Sequence, residues 1–120
     1  MGYVTSGRPV GRPRQFYKYE LPSGVVKVVR AQCADFARKE LCIQDGSVSE
    51  ETLNAYIATN AAIKQALFDI EETVRQHFLN DIAENRGYDK SQSQWCLSHN
   101  AYYKRKRKAI YEIAKGLLLI

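Results

Sequence analysis

Apolar positions along this chain recur at helical spacing over most of its length. From Val28 onward, Val29, Cys33, Phe36, Ala37 and Leu41 form one stripe at three- and four-residue steps, and Gly46 stands where such a helix would stop. Ser49 then reads as a helix N-cap, with Glu50 and Glu51 beside the positive end of the helix dipole. Leu53, Tyr56 and Ile57 continue as core-facing positions. The same period runs on through Ile63, Leu67, Ile70, Val74, Phe78 and Ile82. One uninterrupted helix of that length is unusual, so the pattern predicts a break near Thr59-Asn60, with Asn60 as cap. Gly87 is expected to close the last of these helices.

The C-terminal third carries a second pattern. In Y-D-K-S-Q-S-Q-W-C-L (residues 88–97), Asp89 or Ser91 can cap a short helix through Trp95, with Leu97 in a tight turn. Ser98 then caps a longer helix over Ser98 to Lys115, which holds five consecutive cations, Lys104 to Lys108. Short helix, turn and longer helix predict a helix-turn-helix over about 89–117, locked by Trp95, Leu97 and Tyr102, although the turn lacks its frequent glycine. On a wheel of about 3.6 residues per turn, Tyr102, Ala109, Ile110, Ile113 and Leu117 share one side. Asn100, Tyr103, Lys104, Arg107 and Tyr111 share a neighbouring side, and Arg105 and Lys108 fall away from it. The expected fold is therefore all-α, a small helical bundle ending in a C-terminal helix-turn-helix.

Residues 1–24 read differently, as a flexible basic arm preceding a single helical domain over 25–120. They hold all three prolines and four of the seven glycines. Within them G-R-P-V-G-R-P-R repeats a Gly-Arg-Pro unit that lays Arg8, Arg12 and Arg14 along an extended path. That unit resembles the AT-hook core that enters the minor groove of A·T-rich DNA, although Val10 replaces the arginine usually found before it. The alternative is a basic tail that touches phosphates loosely. Residues Gln15 to Glu20 alternate aromatic and polar, and Leu21-Pro22-Ser23-Gly24 reads as a turn, which also allows a short hairpin with Val25 to Val29.

Charge is segregated along the chain. Residues 1–30 carry six Lys/Arg and one Glu. Residues 31–85 carry four Lys/Arg against ten Asp/Glu, and residues 86–120 carry eight Lys/Arg against Asp89 and Glu112. Two basic ends around an acidic middle concentrate positive potential where a polyanion can meet it. No apolar run approaches the ~20 residues of a membrane span, and the start lacks the apolar core of a secretory signal. Three cysteines without a C-x-x-C spacing fit reduced thiols, and the expected place is cytoplasmic. His77 and His99 lie in separate elements, and there is no H-E-x-x-H, G-x-S-x-G, phosphate-binding glycine loop or Cys/His metal spacing. Asp81 and Glu84 read as exposed carboxylates on one helix face. No catalytic residue, metal or cofactor is therefore expected.

In the C-terminal third, Asn85, Tyr88-Asp89 and L-S-x-x-x-Y-Y-x-x-K-x-x-A-I-x-x-I-A (Leu97 to Ala114) together resemble the ArpU and RinA type phage late-gene transcription regulators. These are similar in turn to the promoter-reading C-terminal domain of bacterial sigma factors. The resemblance is firm over the last third, looser over the acidic helices, and does not reach the Gly-Arg-Pro arm. It implies a regulator of packaging, structural and lysis genes in a bacterial host cell, bound to promoter DNA, with RNA polymerase and a second copy of the chain as further partners. It also implies that Tyr102 is buried in the reading helix, while His99, Asn100, Tyr103 and Lys104 face bases or phosphates. From the residues themselves, Asn100 and Lys104 suit base edges, Arg105 and Lys108 suit phosphate or solvent, and Arg107 shares the reading side as a further DNA-binding candidate. Two other readings stay open: a ring-forming small subunit of a DNA-packaging machine, and a helical protein-binding module whose cations only confer solubility.

Overall fold

The computed structural model describes residues 19–92, 94 and 96–120, so Arg8, Arg12, Arg14 and Trp95 lie outside the described residues. Among the described residues the protein is all-α, with no strand. Its helices are α1 (Ser23–Ala34), α2 (Phe36–Asp45), α3 (Glu50–Leu67), α4 (Glu72–Glu84) and α5 (His99–Gly116). A single 3-10 turn, Tyr88–Lys90, lies between α4 and α5.

Local chemistry sets most of these boundaries. Val25 and Val26 donate their amides to the Pro22 carbonyl at 3.0 and 3.2 Å, so the helix starts at once and the alternative hairpin over Val25 to Val29 does not form. The single stripe expected from Val29 to Leu41 is broken at Asp35, whose backbone (φ −93°, ψ 2°) ends α1 and opens α2. Arg38 grips the Asp35 carboxylate through Nε and Nη2, both at 2.7 Å, and holds that carboxyl below its usual range. The bend turns α2 away from the core of α1, and Leu41, expected inside, is 62 % exposed. Gly46 ends α2 in the left-handed conformation (φ 64°), as its position predicts. Ser49 caps α3 by accepting from the Thr52 amide at 3.3 Å.

The expected break at Thr59-Asn60 is absent, because α3 runs on to Leu67. Asn60 is buried in mid-helix and donates across to the Phe36 carbonyl at 3.2 Å and to Glu40 Oε2 at 2.9 Å. A cap residue is thus used instead as a tie between α2 and α3. The chain breaks at residues 68–71, where Arg75 reaches back from α4 to the carbonyls of Ile70 (2.7 Å) and Phe68 (2.8 Å). Both carbonyls belong to the connection between α3 and α4, so Arg75 ties the start of α4 to the segment that leads into it. Asn85, not Gly87, closes α4 in the left-handed conformation (φ 55°), with the Arg86 amide bonded to the Asp81 carbonyl at 2.9 Å. Asparagine tolerates that region far better than most side chains.

Helix α1 packs on α4 and α5, α2 on α3, and α3 on α5. Val29 and Cys33 of α1 meet Ile63, Leu67, Ile70, Val74, Phe78 and Ile82, joined by Tyr102, Ala109, Ile113 and Ala114 of α5. Every member of the long α3–α4 stripe from Ile63 on is buried, as its period predicts. Leu21 packs against this core and the Tyr19 ring meets Tyr111 edge-on at 5.3 Å, so the chain before α1 is docked from Tyr19 onward. No helix among the described residues is long and apolar enough to cross a membrane.

Burial in this core pushes the Cys33 thiol up from 9.0 to about 12. The folded state therefore holds a proton that the unfolded chain releases first. That contribution to stability is complete below pH 9 and is lost as pH rises from 9 to about 12, at about 1.4 kcal/mol per pH unit for one group. In urea unfolding across this window, wild-type stability is expected to fall more steeply with pH than that of Cys33→Ala. Parallel profiles would contradict the burial of a protonated thiol.

Candidate nucleic-acid interface

The cationic helix α5 begins where the sequence predicts, with Ser98 Oγ accepting from the Ala101 amide at 3.2 Å. What precedes it differs from the expected short helix. Among the described residues of the helix foreseen from Asp89 to Trp95, Asp89 and Lys90 belong to the 3-10 turn and Gln92 and Gln94 lie in turns, as does Cys96 after them. Gln94 Nε2 donates to the carbonyls of Tyr88 (2.8 Å) and Asp89 (2.6 Å), which a helix would have given to backbone amides. Tyr88 donates its hydroxyl to the Leu97 carbonyl at 2.8 Å and so pins the far end of the segment. Helix α5 is therefore presented after a braced loop from α4.

Its rotation is set from inside. Tyr102 is fully buried and stacks on Phe78, with centroids 5.2 Å apart. Its hydroxyl donates to Asp81 Oδ2 at 2.8 Å, and burial, then the Asp81 hydrogen bond, pushes the phenol above its usual range. Asp81 is 1 % exposed, which corrects its reading as a surface carboxylate. Its other oxygen lies 3.3 Å from Arg86 Nε. The sequence carried the signal: Asp81 lies three residues after Phe78, on the apolar stripe beside Ile82. Lys106, the middle cation of the run, also turns inward. Its ammonium donates to the Arg86 carbonyl at 2.5 Å and lies 5.8 Å from the Tyr102 ring centroid, and burial pushes it below its usual range.

Tyr103 is half-buried rather than free. Its hydroxyl accepts from the Tyr88 amide at 3.0 Å, and a side-chain carbon at Gly87 would sit 2.8 Å from that oxygen. Gly87 thus provides space here. The exposed His99 ring meets Tyr88 and Tyr103 edge-on at 5.3 and 4.8 Å.

Asn100, Lys104, Arg105, Arg107 and Lys108 remain exposed, with Lys115 further along. The side on which the wheel groups Asn100, Tyr103, Lys104, Arg107 and Tyr111 is divided between two flanks, and Arg105 and Lys108, which the wheel sets apart, stand with Lys104. Lys104, Arg105, Lys108 and Lys115 line the groove between α5 and α3, which also holds Asp69 and Glu112. Tyr103, Lys106 and Arg107 line a separate cleft on the opposite flank, against α1. Arg30 of α1 joins that cleft, a placement no periodicity could show because it depends on how α1 crosses α5. The residue docking the start of the described chain, Tyr19, touches Tyr111, which lies between Lys108 and Lys115 on the outer side of α5. The described chain thus begins beside the cations of α5.

The Tyr102 phenol is expected to matter separately from its ring. Tyr102→Phe leaves the buried Asp81 carboxylate without that donor and should cost about 1–3 kcal/mol in chemical denaturation. Tyr102→Ala removes the ring as well and should cost about 3–5 kcal/mol. Wild-type stability for Tyr102→Phe would show that Arg86 and Lys106 alone satisfy Asp81. No family model matches the chain, and neither the curated proteins nor the solved structures compared with it give a match.

Proposed function

We propose that this protein is a transcription regulator that binds duplex DNA by seating the outer face of α5 in the major groove. The observation that carries the reading is the combination on one helix of a buried anchoring side and an exposed cationic one. Tyr102, Ala109, Ile113 and Ala114 hold α5 to the domain, while Asn100, Lys104, Arg105, Arg107 and Lys108 stay in solvent. A helix about 10–12 Å across fits a groove about 12 Å wide. In that pose the outward Asn100 and Lys104 meet base edges, and the cations on the two flanks of α5 meet the two phosphate backbones. Asparagine pairs with adenine, and lysine reaches guanine, by ordinary major-groove hydrogen bonding. Tyr103, whose hydroxyl is engaged by Tyr88, supports the helix from within in this reading.

The resemblance of residues 82–114 to ArpU and RinA type regulators supports promoter DNA of phage late genes as the target. The reading does not require a short-turn helix-turn-helix. The loop between α4 and α5 brings the reading helix out from the core, and its bracing by Tyr88 and Gln94 supplies the rigidity that a preceding helix would otherwise give.

Duplex binding should weaken steeply with salt, with a log–log slope of about −4 to −5 if about five phosphates are neutralised. Asn100→Ala should reduce preference for a selected site over random DNA, whereas Lys108→Gln should weaken both equally. Electrophoretic or fluorescence titration at several salt concentrations measures these quantities. A flat salt response would remove the DNA reading.

A further inference from the structure

We propose that the cleft between α1 and α5 is a phosphate site, in which Arg30, Lys106 and Arg107 hold the oxygens of one phosphate group. The cleft is small, about 190 Å³, and its walls bring one cation from α1 together with two from α5. Among the described residues the remainder of the lining is apolar or uncharged, with Val26, Ile82 and Ile110 among it, and it includes no carboxylate. The groove on the other flank of α5 differs in this respect, because Asp69 and Glu112 stand among its lysines. Among the described residues, Arg30 has no carboxylate within ion-pair distance. Asp81 lies near enough to act on Lys106, but it is already bonded by Tyr102 and paired with Arg86.

Like charges facing one another across an apolar-walled cleft repel with less screening than they would in open water. An oxyanion relieves that repulsion. Two guanidinium forks and one ammonium suit phosphate, whose oxygens accept paired N–H groups, with lysine adding a point charge. Arg30 and Lys106 already sense one another: burial is the largest cause lowering the Lys106 ammonium, and the charge of Arg30 lowers it further.

The phosphate has two chemical sources, a phosphodiester of duplex DNA or a free phosphate monoester. The first rests on the DNA reading above and makes Arg30 a backbone contact outside α5. The test uses the full chain. Arg30→Gln should leave thermal unfolding unchanged, weaken duplex binding about three- to tenfold on selected and random DNA alike, and reduce the salt slope by about one. Arg30→Lys should recover part of the affinity. In parallel, inorganic phosphate is titrated into wild-type protein at constant ionic strength against chloride, while NMR follows the Arg30 side-chain Nε–H resonance. A reduced slope supports the site with DNA as its source. An unchanged slope with a saturable shift on phosphate supports it with free phosphate as its source. An unchanged slope with no saturable shift overturns it. If the protein binds no duplex at all, the phosphate titration decides alone: a saturable shift keeps the site, and no shift overturns it.

Discussion

The geometry of this protein turns on a buried carboxylate, Asp81, and the phenol that reaches it from the next helix. A lone carboxylate removed from water costs several kcal/mol unless its lone pairs are met by donors. Here Tyr102 meets one oxygen, and Arg86 stands 3.3 Å from the other. The Ser91 side chain bonds the same phenol. Because the Tyr102 ring also stacks on Phe78, the polar contact and the apolar one share a side chain. A rotation of α5 that broke the hydrogen bond would also break the stack, so the helix has one favoured phase about its axis.

That phase decides what the five-cation run presents. Lys106 lies on the same side as Tyr102 and is drawn in over its ring toward the Arg86 carbonyl. Lys104, Arg105 and Lys108 are left toward α3, and Arg107 toward α1. A run that is continuous along the chain is thereby split in space into two cationic flanks, with Lys106 turned inward on the α1 side. For a helix that straddles a groove bordered by two phosphate chains, charge on both flanks is more useful than a single dense face, because each backbone then meets its own cations.

The acidic middle of the chain has a comparable internal use. Glu40 accepts from the buried Asn60 amide and lies 3.0 Å from Lys64, and both contacts hold its carboxyl below the usual range. Arg38 and Lys39 approach the Tyr56 ring at 5.3 and 5.4 Å, and the Lys39 ammonium bonds Gln32. Polar ties of this sort join α2 to α3 where few fully buried apolar side chains do. Within this acidic block, Glu40 ties α2 to α3 and Asp81 ties α4 to α5.

Much of the fold was legible in the amino-acid sequence alone. The 3.6-residue period marked Ile63 through Ile82 as core, Ser49 and Ser98 as caps and Gly46 as a stop, because each of these depends on neighbours within a few residues along the chain. Tyr102 was legible as buried for the same reason. The failures share the opposite cause. Asn60 is a good local cap, yet the carbonyl of Phe36, 24 positions away, offered it a buried bond within an unbroken helix. Asp81 is polar and reads as surface until Tyr102 comes within reach, and Gly87 reads as a helix stop until the Tyr103 hydroxyl fills the space beside it. The sequence by itself determined that helices form, where most begin, and that positive charge gathers at the C-terminal end. Only the tertiary structure decided which cations face solvent and that Arg30 joins them, because those outcomes follow from the crossing of α1, α4 and α5, and no local period encodes a crossing.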